Sequence, residues 1–149
     1  MSKVQGFNGS RVDASCREGI EVLVLRCEPD APAIIRRRLD VLFNHLAVPP
    51  LEAYGIKVAV GEALGNAIRH GCKLDADKFV TVRIEEKPDM LVFEISDEGP
   101  GFHPDEVSCD DCGGMGLTLM RHLMDNVEFD FRGGTTVRLT KQLHRTTKP

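Results

Sequence analysis

Hydrophobic positions change period several times along the chain, and each change marks a predicted element. Ile20 to Cys27 is an apolar run rich in β-branched residues, which predicts a strand. Asp30-Ala-Pro32 then supplies a helix start, and Ile35, Leu39, Leu42 and Leu46 repeat at helical spacing. Pro49-Pro50 breaks that helix. A second helix follows and ends near His70-Gly71; on it Ile56, Val60, Ala63, Leu64 and Ala67 share one stripe. Val80, Val82 and Ile84 alternate with Thr81, Arg83 and Glu85, and Lys87-Pro88-Asp89 turns the chain into a second alternating strand through Leu91, Phe93 and Ile95. Leu117, Met120, Leu123 and Met124 predict an amphipathic helix. Val127, Phe129 and Phe131 then predict a strand that returns through Gly133-Gly134 to Val137 and Leu139. Hairpin links of this kind predict an α+β fold: a two-layer α/β sandwich with a mainly antiparallel mixed sheet covered by helices on one face. Residues 19–143 read as one domain, 1–18 as a flexible N-terminal segment and 144–149 as a tail.

Composition agrees with a single globular domain, at 149 residues with 42% hydrophobic and 28% charged positions. No apolar run reaches the length of a membrane span, and the polar N-terminus lacks a hydrophobic signal region, so a cytoplasmic protein is expected. A net charge of −4 gives no general attraction to nucleic acid, and Arg36-Arg37-Arg38 reads as a solvated surface.

Chemistry concentrates in the segments around the second helix, the second hairpin strand and the third helix. In Glu62-Ala-Leu-Gly-Asn66-Ala-Ile-Arg69-His70-Gly71, a carboxylate and a carboxamide lie one turn apart, and Glu62, Asn66 and Arg69 cluster off the apolar stripe. Gly55 and Ala59 beside them are small, which predicts an open approach for a ligand. Asp97 shares a strand face with Leu91, Phe93 and Ile95, so its carboxylate points inward and needs a partner; Gly99 and Gly101 follow at once. Gly113-Gly114-Met115-Gly116 opens the third helix, and exposed N–H groups at a helix start favour phosphate.

Taken in order, Glu62 to Gly71, Asp97 to Phe102, Gly114 to Leu117 and Gly134 to Val137 resemble the motifs of the anti-sigma factor serine/threonine kinases. That family sits within the ATPase superfamily of gyrase, Hsp90, histidine kinases and the MutL-type proteins. The likeness runs over roughly residues 20–143 and implies the Bergerat-type ATP-binding fold. By resemblance, Asn66 ligates the Mg²⁺ that bridges the ATP phosphates, Glu62 is the general base, and Asp97 accepts from the adenine amino group. Gly101 seats the base, while Gly114, Gly116 and Leu117 close the lid on the phosphates. Arg69, Gly99, Phe102, Gly113 and Met115 complete the implied cofactor-binding set. A threonine hydroxyl near the adenine is also implied: strand alternation favours Thr135 and the family pattern Thr136, so both stand. The implied activity is ATP-dependent serine/threonine kinase action that sequesters a sigma factor and phosphorylates a STAS-type anti-anti-sigma protein. A homodimer is implied as well. The alternative is an ATP-gated protein-binding module with little or no transfer. His70 is expected to cap its helix. The segment His103 to Gly113 departs from the family pattern by carrying Cys109 and Cys112 around two aspartates; the five cysteines are expected to be reduced thiols, the alternative being a regulatory metal or disulfide at Cys109 and Cys112.

Overall fold

The alternating segments join edge to edge into one antiparallel sheet. The computed structural model describes residues 2–5, 11–73, 75–99 and 115–144. Its strands are β1 (Ser2–Gln5), β2 (Arg11–Arg17), β3 (Ile20–Arg26), β4 (Phe79–Glu86), β5 (Met90–Asp97), β6 (Asn126–Asp130) and β7 (Thr135–Gln142). They form a seven-stranded sheet in the order β1-β2-β3-β4-β5-β7-β6. Each neighbouring pair among them is antiparallel. Strands at 2–5 and 11–17 replace the flexible segment expected over 1–18. Backbone pairing places them, β2 against β3 and β1 against β2, and such pairing leaves no long apolar alternation for a sequence pattern to detect.

Helices α1 (Ala31–Leu46), α2 (Pro50–Asn66) and α3 (Met115–Leu123) complete the architecture. Ala31, Ile35, Leu39 and Phe43 bury one face of α1. The helix stops at Ala47, whose φ of 52° is left-handed, while the Val48 N–H donates to the Phe43 carbonyl at 3.0 Å. Pro50 then starts α2 with its φ already set for a helix. The predicted α2 stripe of Ile56, Val60, Ala63, Leu64 and Ala67 is buried, and it shares one core with Phe93, Ile95 and Leu139 of the sheet. Each large side chain there contributes about 1.5–3 kcal/mol by burial. The opposite sheet face is polar: Arg83 pairs with Glu85 at 3.1 Å and Glu94 at 3.6 Å, and Arg138 reaches Glu94 at 3.8 Å. Such part-exposed pairs contribute little.

Two features position the site. The last turn of α2 runs on as a π-helix over Ala67–Gly71, with the Cys72 N–H donating to the Ala67 carbonyl at 2.8 Å. A disulfide then joins Cys72 to Cys27, just beyond β3. For these two residues the expectation of reduced thiols is corrected. They stand 45 positions apart in sequence, so no spacing pattern links them, and the fold alone brings their Cα atoms to 6.3 Å.

Candidate active site

At one end of the site lies a buried acid. Asp97 closes β5 and is 7% exposed. Its Oδ1 accepts from the Gly99 N–H at 2.9 Å and from the Thr135 N–H at 3.4 Å. Neither bond uses Oδ2. Burial raises the carboxyl above its ordinary pKa, and the two backbone donors pull partly the other way. The backbone comes so close that side chains are excluded. A Cβ on Gly71 would lie 2.1 Å from the Asp97 carboxyl carbon, and one on Gly99 would lie 2.2 Å from the Gly71 carbonyl oxygen. Gly134, at a φ of +123°, passes equally close to the Asp97 carbonyl.

Register assigns the two threonines to different faces. Thr135 pairs opposite Asp97 and is buried, and its Oγ1 has no hydrogen-bond partner among the described residues. Thr136 pairs opposite Ser96, and the two hydroxyls bond to each other at 2.9 Å on the far side of the sheet. The structure therefore brings Thr135 to Asp97 and leaves Thr136 away from it.

The other end of the site is carried by α2 and α3. Glu62 and Asn66 are half-buried, one turn apart, and Arg69 follows on the exposed side of the π-turn. The Arg69 Nη2 donates to Asn66 Oδ1 at 3.0 Å, and its guanidinium lies across Gly65. Among the described residues the ion pairs do not include one between Arg69 and Glu62. Gly116, in the first turn of α3, sits against both acid and amide: a Cβ there would lie 2.8 Å from Glu62 Oε2 and 4.0 Å from Asn66 Nδ2. Leu117 turns instead toward the core cluster. Gly55 and Ala59 do not open a ligand path as expected. Ala59 is fully buried, and Gly55 leaves just enough room for Leu123 of α3, 3.3 Å from where its Cβ would be.

The π-turn joins the two ends. It carries the chain directly from Asn66 to Gly71, whose backbone lies against the Asp97 carboxyl group. Periodicity could not find it, because five residues make a single turn, too short to display a period of its own. Gly71, which closes the first motif, and Gly134, which opens the last, were the signal in the sequence. His70 is exposed on this turn. Gly101, Phe102, Gly113, Gly114, Cys109 and Cys112 lie outside the described residues, as does the side chain of Met115.

These residues suit an adenine nucleotide and Mg²⁺. A buried acceptor beside an unpartnered hydroxyl fits the amino edge of a purine. Asn66 Oδ1 is a hard oxygen that already holds a cationic group. Among the described residues no three His, Cys, Asp or Glu side chains gather as a metal cage, so a divalent cation at Asn66 would draw most of its oxygens from phosphate and water.

Comparison with known proteins points the same way. Residues 25–141 match the family described as histidine kinase-like ATPase domain. The serine-protein kinase RsbW of Bacillus subtilis is 32% identical over 130 residues, covering 78% of this chain and 81% of that protein. The serine-protein kinase RsbW of Listeria innocua is 33% identical over 135 residues, covering 82% and 86%. A crystal structure of RsbU and RsbW domains from Mycobacterium tuberculosis superposes with a TM-score of 0.65 at 20% identity. The match takes in 85% of this chain and 34% of that one, so the chain spans about a third of the larger protein's length.

Proposed function

We propose that this chain, which belongs to the histidine kinase-like ATPase domain family, is an ATP-dependent protein serine/threonine kinase of the anti-sigma type. The observation that carries the nucleotide reading is the buried Asp97 carboxylate beside the unpartnered Thr135 hydroxyl, framed by Gly71, Gly99 and Gly134. Oδ2 of Asp97 accepts from the exocyclic amine of adenine, and Thr135 Oγ1 bonds at the same edge. Guanine presents a carbonyl there, and that carbonyl would face a buried acid. The pocket therefore selects adenine.

At the phosphate end, Asn66 is the protein ligand for Mg²⁺, which when bound neutralises charge on the β- and γ-phosphates. Arg69 supplies a second positive group beside the same oxygen. The first turn of α3 lies against Glu62 through Gly116, so its N–H groups and the Glu62 carboxylate face one space. Glu62 accepts the proton of a partner serine as its hydroxyl attacks the γ-phosphorus, and ADP leaves. The RsbW relatives are named serine-protein kinases. By that kinship the partners are a sigma factor and a STAS-type anti-anti-sigma protein, the working form is a homodimer, and the site of action is the cytoplasm. No helix among the described residues is long and apolar enough to cross a membrane.

Labelled ATP, Mg²⁺ and candidate serine-bearing partners test the reading. Glu62→Gln is nearly isosteric and leaves Asn66 untouched, so ATP affinity stays near normal while transfer slows by about 10² to 10⁴. Tight ATP binding without labelling of any partner, unchanged by Glu62→Gln, replaces the kinase with an ATP-gated binding module.

A further inference from the structure

The bond between Cys27 and Cys72 takes no part in the chemistry above, yet it is fastened to the base-binding end of the site. Both residues are buried, at 2% and 1% exposure. Cys72 directly follows Gly71, the residue whose backbone presses on the Asp97 carboxyl group. Cys27 directly follows β3, and its N–H donates to the Lys78 carbonyl at 3.0 Å. Beyond Cys72 the Asp75 N–H donates to the Cys72 carbonyl at 3.0 Å and the Lys78 N–H to the Asp75 carbonyl at 3.0 Å, so the chain enters β4 beside Cys27. The π-turn has backbone bonds along its own axis, but its far end is tied to the sheet covalently, through this pair.

We propose that the Cys27–Cys72 disulfide is a positioning bond for nucleotide recognition: it holds the end of the π-turn against β3, so that Gly71 keeps the Asp97 carboxylate aimed at adenine. This inference rests on the nucleotide reading and adds to it a dependence on redox state. Forming the bond removes two thiol hydrogens and two electrons from the cysteines. A small disulfide such as oxidised glutathione accepts them and leaves as two thiols. Dithiothreitol reverses the step and becomes a cyclic disulfide. Once reduced, the end of the π-turn keeps its hydrogen bonds and the core packing of Ile68 and Cys72 but loses its cross-link to Cys27, and the wall it forms against Asp97 gains freedom that a bound base must remove. The effect is confined to the base. Asn66 and Glu62 lie at the start of the turn, away from the bond, so the triphosphate and Mg²⁺ contacts stay as they are.

The full chain, purified without reductant and alkylated before digestion, should yield a cross-linked peptide containing Cys27 and Cys72. Calorimetry then compares this protein with the reduced form and with the Cys27→Ala/Cys72→Ala variant. Dissociation constants for ATP and ADP are expected to rise together, by roughly five- to tenfold, and preference for ATP over GTP to shrink, with the Mg²⁺ requirement unchanged. Absence of the cross-linked peptide overturns the proposal. So does a variant with a lower melting temperature but unaltered affinity and base preference, which is what a purely structural staple would give. Protein that binds no adenine nucleotide in either state refutes the nucleotide reading along with the proposal, whereas binding indifferent to reduction refutes the proposal alone.

Discussion

Replacing Asp97 by asparagine separates what the residue does for the fold from what it does for the ligand. In the ligand-free chain the carboxylate is buried, and burial raises its pKa, so holding the negative charge there opposes folding. The sign follows from proton linkage. With a folded-state pKa above the unfolded one, the native chain binds more protons between the two values, and stability falls as pH rises through that window, starting near 4. Asparagine keeps an oxygen for the Gly99 and Thr135 N–H groups, which both bond to Oδ1, and removes the charge. The variant should therefore melt no lower than the parent at pH 7, and the acid-side slope should flatten. Binding moves the other way. The amide presents an NH₂ where Oδ2 faced the adenine amine, so a charge-assisted hydrogen bond of about 1.5–3 kcal/mol is lost and ATP affinity drops by about 10- to 150-fold. Calorimetry with ATP and GTP, beside thermal melts from pH 4 to 8, reads both effects. A variant that loses stability while keeping its ATP affinity and its preference over GTP would refute the reasoning.

Arg69→Ala removes the cationic group that holds Asn66 Oδ1. ATP affinity should fall about tenfold without Mg²⁺ and return to within about threefold at saturating Mg²⁺, because the metal supplies the missing charge; an equal loss under both conditions in calorimetry would count against it. Gly71→Ala places a methyl group 2.1 Å from the Asp97 carboxyl carbon and must push apart β5 and the π-turn. A cost of about 2–3 kcal/mol and loss of ATP binding are expected in denaturant titration and calorimetry, and a variant as stable as the parent would contradict the close approach.

The sequence disclosed the elements whose cause is local. Helical repeats in α1 and α2, the alternation of Val80, Val82 and Ile84, and the inward set of Leu91, Phe93, Ile95 and Asp97 all depend on a side chain's position within its own segment, and all reappear in the core. Features decided by a distant partner were illegible. Consecutive threonines at 135 and 136 are equivalent in composition, and only the pairing of Thr135 with Asp97 across β5 and β7 distinguishes them. Gly55 seemed to clear a path for ligand because the packing of Leu123 against it comes from 68 residues further on, a separation no local pattern spans. Cys27 and Cys72 meet for the same reason. The strands at 2–5 and 11–17 escaped notice because backbone pairing, of β2 to β3 and of β1 to β2, places them.

Because Thr135 opens β7 and Asp97 closes β5, the base-binding end of the site exists only once β7 has zipped onto β5, in a register that joins positions 38 residues apart. A chain with α2 and the β4–β5 hairpin formed but β7 still undocked would carry Glu62, Asn66 and Asp97 and yet offer no closed seat for a base. On the proposed reading, nucleotide would recognise the completed sheet and not its precursors. Ligand present at a hundred times its dissociation constant would deepen the native basin by about 2.7 kcal/mol. A folding transition state formed before the β5–β7 seam would have nothing for adenine to hold, and the gain would then appear as slower unfolding.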